Sequence, residues 1–117
     1  MYIAFMIAKD LVAASSKPLI LSILAEGESY GYEIARKVRE LSEGALEWTD
    51  GMLYPVLHRL ERQGAIVSEW RQSETGRERK YYRLGATGRR SLEAERLQWL
   101  KVHNTLCRIW KINPALT

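Results

Sequence analysis

Apolar and polar residues follow a helical spacing most clearly within residues 49–64. Four apolar residues lie at i, i+3, i+4 and i+7, which places one apolar stripe along a helix: Leu53, Val56, Leu57 and Leu60. Polar side chains project from the other side: Tyr54, His58, Arg59 and Arg62. The pattern predicts a short helix held against a core on one side and free to contact a polar partner on the other. An ordinary amphipathic surface helix explains these residues equally well when they are taken alone.

Both ends of this helix carry boundary signals. Asp50 is a candidate N-cap, because its carboxylate can accept a hydrogen bond from a free N–H of the first turn. Gly64 is a candidate for the residue just after the helix, where left-handed backbone is common. Pro55 fits only near the start of the helix, where a missing N–H removes little.

The chain before this helix predicts further helices. Residues 3–14 are apolar around most of a helical circumference, and we expect a partner chain to cover them. Ser15 and Ser16 predict a cap from which a second helix starts, with Pro18 at an early position. That second helix is predicted to be buried and to stop at Gly27.

A third helix is predicted to begin at Ser29 and to end at Gly44. Its inward stripe has helical spacing and consists of Tyr30, Ile34, Val38 and Leu41. Residues 45–50 then form a short connection to the 49–64 helix. Two helices joined by a short turn, the second with a polar outer side, form the helix-turn-helix pattern. We therefore interpret the 49–64 helix as a DNA recognition helix.

After Gly64 the sequence predicts a β-hairpin. Residues 66–71 and 79–84 are rich in β-branched and aromatic side chains, and a polar loop with one glycine separates them. Because a two-stranded hairpin is not stable alone, we expect it to lean on the helices through Ile66, Tyr82 and Leu84.

The last predicted helix spans residues 88–111. Two series repeat every seven residues, Leu92, Trp99 and Leu106 beside Arg96, His103 and Trp110. A heptad spacing on a helix longer than a small core favours packing against another helix, and the simplest donor is a second copy of the chain. The sequence thus predicts a homodimer.

Composition and charge support a nucleic-acid partner. The 117 residues suffice for one domain, and the formal net charge is +4. Between residues 26 and 50 seven acidic residues oppose three basic ones, whereas between residues 71 and 90 seven basic residues oppose two acidic ones. The second region, with a net charge of +5 (7 − 2), predicts a surface for an anion. A solvated basic loop is the alternative.

Other chemistry is sparse. The single cysteine, Cys107, excludes an internal disulfide and fits a reducing compartment. Residues 1–9 are apolar but lack a basic leader and a cleavage site, so we expect no signal peptide, no membrane anchor and a cytoplasmic protein. The sequence contains no phosphate loop, metalloprotease helix or nucleophile elbow, so we expect neither an enzyme nor a cofactor.

Three segments occur in one order, with residues 30–34 reading YGYEI, residues 51–61 GMLYPVLHRLE and residues 79–84 RKYYRL. Together they closely resemble the PadR family of bacterial transcriptional regulators, from about residue 19 to residue 106. The middle segment followed by the Lys-Tyr-Tyr strand is the specific part, whereas YGYEI alone is a weak signal.

The resemblance implies a mainly α fold with a small β-hairpin, namely a winged helix-turn-helix whose N- and C-terminal helices make a homodimer. It also implies a repressor that a small molecule releases from DNA. We accordingly expect residues 1–87 to form the DNA-binding domain and residues 88–117 to form the dimerisation helix and tail. Gly85 stands where the family often has a threonine cap, which predicts a weakly capped last helix.

Nine residues are expected to contact double-stranded DNA: Tyr30, Tyr54, Pro55, His58, Arg59, Arg62, Arg77, Arg79 and Lys80. Arginine is the commonest reader of guanine, and the cations of the hairpin suit phosphates. Core packing is the alternative role for Tyr30, and a salt bridge on the helix is the alternative for Arg59.

Two residues of the last helix are candidates for an effector site. With its short C-terminal helix, the chain resembles the compact branch of the family. In one multidrug-sensing group within that branch, a tryptophan at the position of Trp99 lines a pore between the two subunits and stacks on flat drugs. His103 replaces an acid of those proteins, which argues against a preference for cations. Plain interface packing is the alternative for Trp99. His103 and Cys107 have a spacing that can hold a metal, but no further ligand is spaced to join them, so we expect no metal site.

Two classes of function remain open at this point. The first is a ligand-responsive DNA-binding repressor, and the second is a winged-helix adaptor that binds protein instead of DNA. The positive charge between residues 71 and 90 favours the first.

Overall fold

The computed structural model describes residues 6–113, which form four helices and three short strands. The elements are α1 (Lys9–Glu26), β1 (Ser29–Tyr30), α2 (Gly31–Leu41), α3 (Asp50–Arg62), β2 (Ile66–Gln72), β3 (Glu78–Leu84) and α4 (Gly88–Trp110). The mainly α fold with a small β-hairpin is therefore confirmed. Residues 1–5, which hold part of the apolar N-terminal stretch, lie outside the described range.

The N-terminal helix is continuous, so the predicted break at Ser15 and Ser16 is wrong. Instead of capping a new helix, the hydroxyls of Ser15 and Ser16 donate to the carbonyls of Val12 (3.1 Å) and Ala13 (2.7 Å), one turn earlier. Serine can bond within its own turn in this way, and the helix continues past it. Pro18 then lies inside α1, where its ring leaves one carbonyl of the exposed side without a helical donor.

One hydrophobic core joins the first three helices to the sheet. Its most deeply buried apolar side chains are Ile20, Leu21, Ile34, Val38, Leu57, Leu60, Ile66 and Tyr82. The predicted stripe of α3 is confirmed, since Leu53, Leu57 and Leu60 are buried and Val56 packs against the core. Leu41, predicted to face inward, is instead exposed at the end of α2.

The connection between α2 and α3 ends in a threonine cap. Thr49 Oγ1 accepts a hydrogen bond from the Met52 N–H at 3.3 Å, so Thr49 and not Asp50 is the N-cap of α3. Asp50 is the first helical residue, where its charge still favours the positive end of the helix dipole. Gly64 follows the helix with a φ of +77°, as its predicted place requires.

The predicted hairpin is confirmed, and it gains a third strand. The antiparallel sheet has the order β1-β3-β2, with Ile66 opposite Leu84 and Ser68 opposite Tyr82. Ser29 and Tyr30, predicted to open a helix, pair with Tyr82 and Tyr81 as β1. The hairpin therefore rests on the start of α2 as well as on the core. We call residues 66–84 the wing.

The last helix begins at the predicted residue, Gly88, and ends at Trp110, one residue before the predicted end, and no side chain caps its start. α4 packs along α1, where Lys17 and Glu95 form an ion pair at 3.8 Å. Cys107 is buried, whereas Val102, Leu106 and Ile109 form an exposed stripe at i, i+4 and i+7. Part of the predicted seven-residue seam is thus covered within the chain, and this stripe is left uncovered. We call these three residues the α4 stripe.

Candidate nucleic-acid interface

The exposed side of α3 faces a groove shared with the wing. Tyr54, His58 and Arg62 project outward while the leucines opposite are buried, as the spacing predicts. The groove has a volume of about 690 Å³ and lies between α3, the start of α2 and the wing. Its lining is aromatic and cationic and consists of Tyr30, Gly31, Tyr32, Tyr54, His58, Trp70, Arg77, Glu78, Arg79, Lys80 and Tyr82.

Six of the nine predicted contact residues therefore share one concave surface, namely Tyr30, Tyr54, His58, Arg77, Arg79 and Lys80. Pro55 and Arg62 are exposed on the same helix. Pro55 is the sixth residue of α3, whereas its missing N–H predicted a place nearer the start of the helix. The carbonyl that Pro55 leaves without a helical donor belongs to Gly51, which is exposed. Arg59 lies on the flank of α3, where it borders a small apolar cavity beside α1.

Tyr54 is seated against the start of α2. A Cβ added to Gly31 would lie 2.6 Å from the Tyr54 hydroxyl oxygen and 3.0 Å from its Cζ, so a larger residue would require the Tyr54 ring to shift. The first helix of the helix-turn-helix therefore fixes the position of an aromatic ring on the second. The glycine of the YGYEI segment therefore has a physical role, because it leaves room for the Tyr54 ring against the start of α2.

A ladder of aromatic rings and guanidinium groups ties β1 to the wing. Arg79 lies over the Tyr30 ring at 4.4 Å, and Tyr30 meets Tyr81 edge-on at 5.5 Å. Arg71 lies over Tyr81 at 4.3 Å on the same side of the sheet. Tyr30 is half-buried at the N-cap position of α2 and supports the Arg79 guanidinium on its ring. It is therefore not a fully buried core residue.

Arg71 is held by two carboxylates at the base of this ladder. Its guanidinium lies 2.6 Å from Glu28 and 3.0 Å from Glu69. The hydrogen bond to Glu28 raises the pKa of Arg71 above its usual value. Arg71 is therefore neutralised locally, and the positive charge that the sequence assigns to this region is smaller at its base than the count of residues indicates.

A second neutralised cation lies between the wing and α3. Lys80 Nζ lies 3.6 Å from a carboxylate oxygen of Glu61, and Ser68 donates a short hydrogen bond to the other oxygen. Beneath them Tyr82 is fully buried, and burial, aided by the Glu61 charge, raises its pKa to about 12. Lys80 is thus paired inside the protein, which the sequence did not reveal.

Other cations stay available to a partner. Within residues 6–113, Arg59, Arg62 and Arg77 form no ion pair, so the salt bridge considered for Arg59 is not present. Arg77 lies in the loop at the tip of the wing and is exposed. Two exposed aromatic residues of the groove, Trp70 and Tyr32, were missed by the sequence reasoning. The alternation of β2, which puts Trp70 on the side of Ile66 and Ser68, was the signal that could have found Trp70.

The two effector candidates lie apart from this groove. Trp99 and His103 are half-buried on α4. His103 Nε2 lies 3.6 Å from Cys107 Sγ, one turn along the same face. Within the described part of the chain no three histidine, cysteine or acidic side chains come together as metal ligands.

Three helices, a wing packed beside the second helix of a helix-turn-helix and an aromatic, cationic groove between them define a winged helix-turn-helix protein. Residues 20–94 match the model of the Transcriptional regulator PadR-like family, and the chain belongs to that family. It is accordingly a transcriptional regulator and not an enzyme.

Similar proteins bear the same description. The chain is 42% identical over 88 residues to the transcriptional regulator Rv3488 of Mycobacterium tuberculosis, covering 75% of this chain and 78% of that protein. A transcriptional regulator from Clostridium thermocellum has a similar structure, with a TM-score of 0.78 at 30% identity, covering 88% and 97% of the two chains. A PadR family transcription regulator from Clostridium difficile gives a TM-score of 0.70 at 34% identity, covering 82% and 98%.

None of the helices between residues 6 and 113 has the length and apolar character needed to span a lipid bilayer.

Proposed function

We propose that this regulator is a cytoplasmic repressor that binds double-stranded DNA as a homodimer on a palindromic operator. The observation that carries the proposal is the exposed Tyr54–His58–Arg62 side of α3 beside a wing whose Arg77 forms no ion pair within residues 6–113. α3 enters the major groove, where His58, Arg59 and Arg62 reach guanine edges or phosphates and Tyr54 and Pro55 contact sugars, phosphates or thymine methyl groups.

The wing supplies affinity that does not depend on sequence. Arg77 is exposed and without a carboxylate partner among the described residues, so it is free to neutralise a phosphate. Arg79 is held over Tyr30, which orients its guanidinium towards the groove edge without cancelling its charge. Contacts of this kind position the protein on DNA and make its affinity depend on salt.

The dimer places two recognition helices on one side of the duplex. The α4 stripe is apolar and uncovered, and α4 belongs to the C-terminal segment, residues 88–117, that we assign to dimerisation. A two-fold axis between the copies would separate the α3 helices by about 34 Å or a multiple of it, the pitch of B-form DNA.

A salt titration tests the DNA-binding proposal. Replacing Arg77 with methionine is expected to weaken binding to every duplex. It should also make the negative slope of log K against log [salt] shallower by about 0.9 for each phosphate that the variant no longer neutralises. Fluorescence anisotropy with a labelled 30-base-pair duplex of mixed sequence, measured at several KCl concentrations, gives the slope.

Arg39→Met is the matched control, because Arg39 is exposed and forms no ion pair among the described residues, but lies at the end of α2, outside the groove. Its slope should equal that of the unchanged chain. A protein that binds no duplex at any salt concentration would contradict DNA binding and favour the adaptor alternative.

Release by a small aromatic effector is the second part of the proposal. Trp99 and His103 are half-buried on α4, on the side of the helix next to the α4 stripe, so a second copy packed there would bring two pairs of these side chains together. A flat aromatic compound stacked on Trp99 is expected to quench tryptophan fluorescence and to lower DNA affinity. Both effects should disappear in Trp99→Ala, and quenching that persists in that variant would reject this site.

A further inference from the structure

Two side chains of the wing, one from each of its long strands, converge on one carboxylate of the recognition helix. Glu61, near the end of α3, accepts the Ser68 hydroxyl on one oxygen and faces Lys80 Nζ at 3.6 Å on the other. Ser68 and Tyr82 are cross-strand partners, and Lys80 lies two residues before Tyr82, so all three point to the same side of the sheet. The group therefore connects both long strands of the wing to α3 through a single residue.

The pair is partly shielded from water. The Lys80 and Glu61 side chains are 27% and 33% exposed, and the Lys80 ammonium lies 5.6 Å from the centre of the buried Tyr82 ring. Attraction between opposite charges is stronger where solvent is partly excluded, and the Ser68 hydroxyl fixes the carboxylate that receives the ammonium. The geometry thus holds the lysine against the protein, although it lines the groove.

The charge of Lys80 is therefore not available to a phosphate. Lys80 and Glu61 carry opposite charges 3.6 Å apart, so the pair presents no net charge to a phosphate. Arg77 has no such partner among the described residues. We propose that Lys80 is a positioning residue, which acts through Glu61 to fix the wing relative to α3 and does not neutralise DNA. This proposal rests on the DNA-binding function proposed above and revises the role expected for Lys80 from the sequence.

Salt dependence separates the two roles of Lys80. We compare four proteins on the same mixed-sequence duplex: the unchanged chain, Arg77→Met, Glu61→Gln and Glu61→Gln/Lys80→Met. The double variant removes one positive and one negative charge and should retain the slope of the unchanged chain. Glu61→Gln keeps an oxygen for Ser68 but frees Lys80, so its slope should become steeper by about 0.9. Arg77→Met should become shallower by about the same amount.

A slope that becomes shallower by about 0.9 in the double variant, as in Arg77→Met, would overturn the proposal, because it would mean that Lys80 contacts a phosphate in the unchanged chain. An unchanged slope in Glu61→Gln would overturn it as well, because Glu61 would then not be the group that keeps Lys80 from a phosphate. Circular dichroism and thermal unfolding of each variant establish that the fold is intact before binding is measured. If the unchanged chain shows no salt-dependent binding, the DNA-binding function itself fails, and that result is distinct from either of these.

Positioning has its own readout in sequence discrimination. A duplex selected by the unchanged chain from a randomised library serves as the specific probe. Discrimination between this duplex and the mixed-sequence duplex should fall about tenfold in Glu61→Gln/Lys80→Met, which is roughly the effect of removing one well-placed bond to a base. Lys80→Arg, which preserves the ion pair, should keep the discrimination of the unchanged chain. Equal discrimination in the double variant and the unchanged chain would overturn the positioning role.

Discussion

Replacing Leu106 with aspartate is expected to convert the proposed dimer into a monomer and to lower its affinity for a palindromic operator by a factor of about 100 or more. Leu106 lies at the centre of the α4 stripe, between Val102 and Ile109. If the stripe packs against a second copy, the substitution places two charges in an apolar contact, where an unpaired carboxylate is strongly unfavourable. Sedimentation at micromolar concentration reports the change from twice 13.5 kDa to the mass of one chain.

Two further variants make this result specific. Ile109 is 68% exposed in the single chain, so Ile109→Asp should dissociate the dimer without affecting the fold of the protomer. Leu41, which is 79% exposed at the end of α2, provides the same chemical change outside α4, and Leu41→Asp should leave the mass unchanged. A dimer that persists in both α4 variants would show that the copies meet on another surface.

The periodic parts of this fold could be predicted from the sequence because their spacing expresses which side is buried. The leucine spacing of residues 53–60 predicts α3 and its buried side, and alternation with β-branched residues predicts the two long strands of the wing. The last helix could be bounded closely, since glycine precedes it and proline follows it. In each case a local pattern and the tertiary contacts favour the same structure.

The features that the sequence did not reveal depend on partners distant in the chain. β1 is only two residues long and exists because Ser29 and Tyr30 pair with a strand about fifty residues later. The continuity of α1 depends on the Ser15 and Ser16 hydroxyls, which donate hydrogen bonds to carbonyls inside the helix. At an N-cap a serine hydroxyl would instead accept a hydrogen bond from a free N–H of the first turn. Local pattern carries no information about either choice.

The site shows the same division. Tyr54, His58 and Arg62 could be assigned to one exposed side from the period of a single helix. Two ion pairs, Lys80 with Glu61 and Arg71 with Glu28, could not be predicted from the sequence. Each pair joins two segments of the chain whose separation is set by the fold. A count of basic residues therefore gives the sign of this surface correctly and overestimates its charge.

Replacing Gly88 with alanine is expected to destabilise the protein by about 3 kcal/mol, near the upper end of the range for overpacked sites. Gly88 is the buried first residue of α4, and an added Cβ would overlap the Ala65 carbonyl oxygen and lie 3.1 Å from the Leu84 Cβ. That carbonyl accepts the Gly85 N–H at 2.8 Å, so it cannot move away without breaking the bond between Ala65, which precedes the wing, and the turn before α4. Relief requires a shift of the backbone.

Gly51→Ala is the matched control, since Gly51 also lies in the first turn of a helix but is exposed, and an added Cβ there would approach no atom closer than 3.8 Å. Alanine should be neutral or stabilising by up to about 1 kcal/mol at that position, because it is the better helix former. Urea unfolding followed by circular dichroism, at one protein concentration for all variants, measures both free energies. A free energy of unfolding for Gly88→Ala within about 0.5 kcal/mol of that of the unchanged chain would be the effect typical of an exposed surface position. In that case α4 would have to start farther from the sheet than the structure places it.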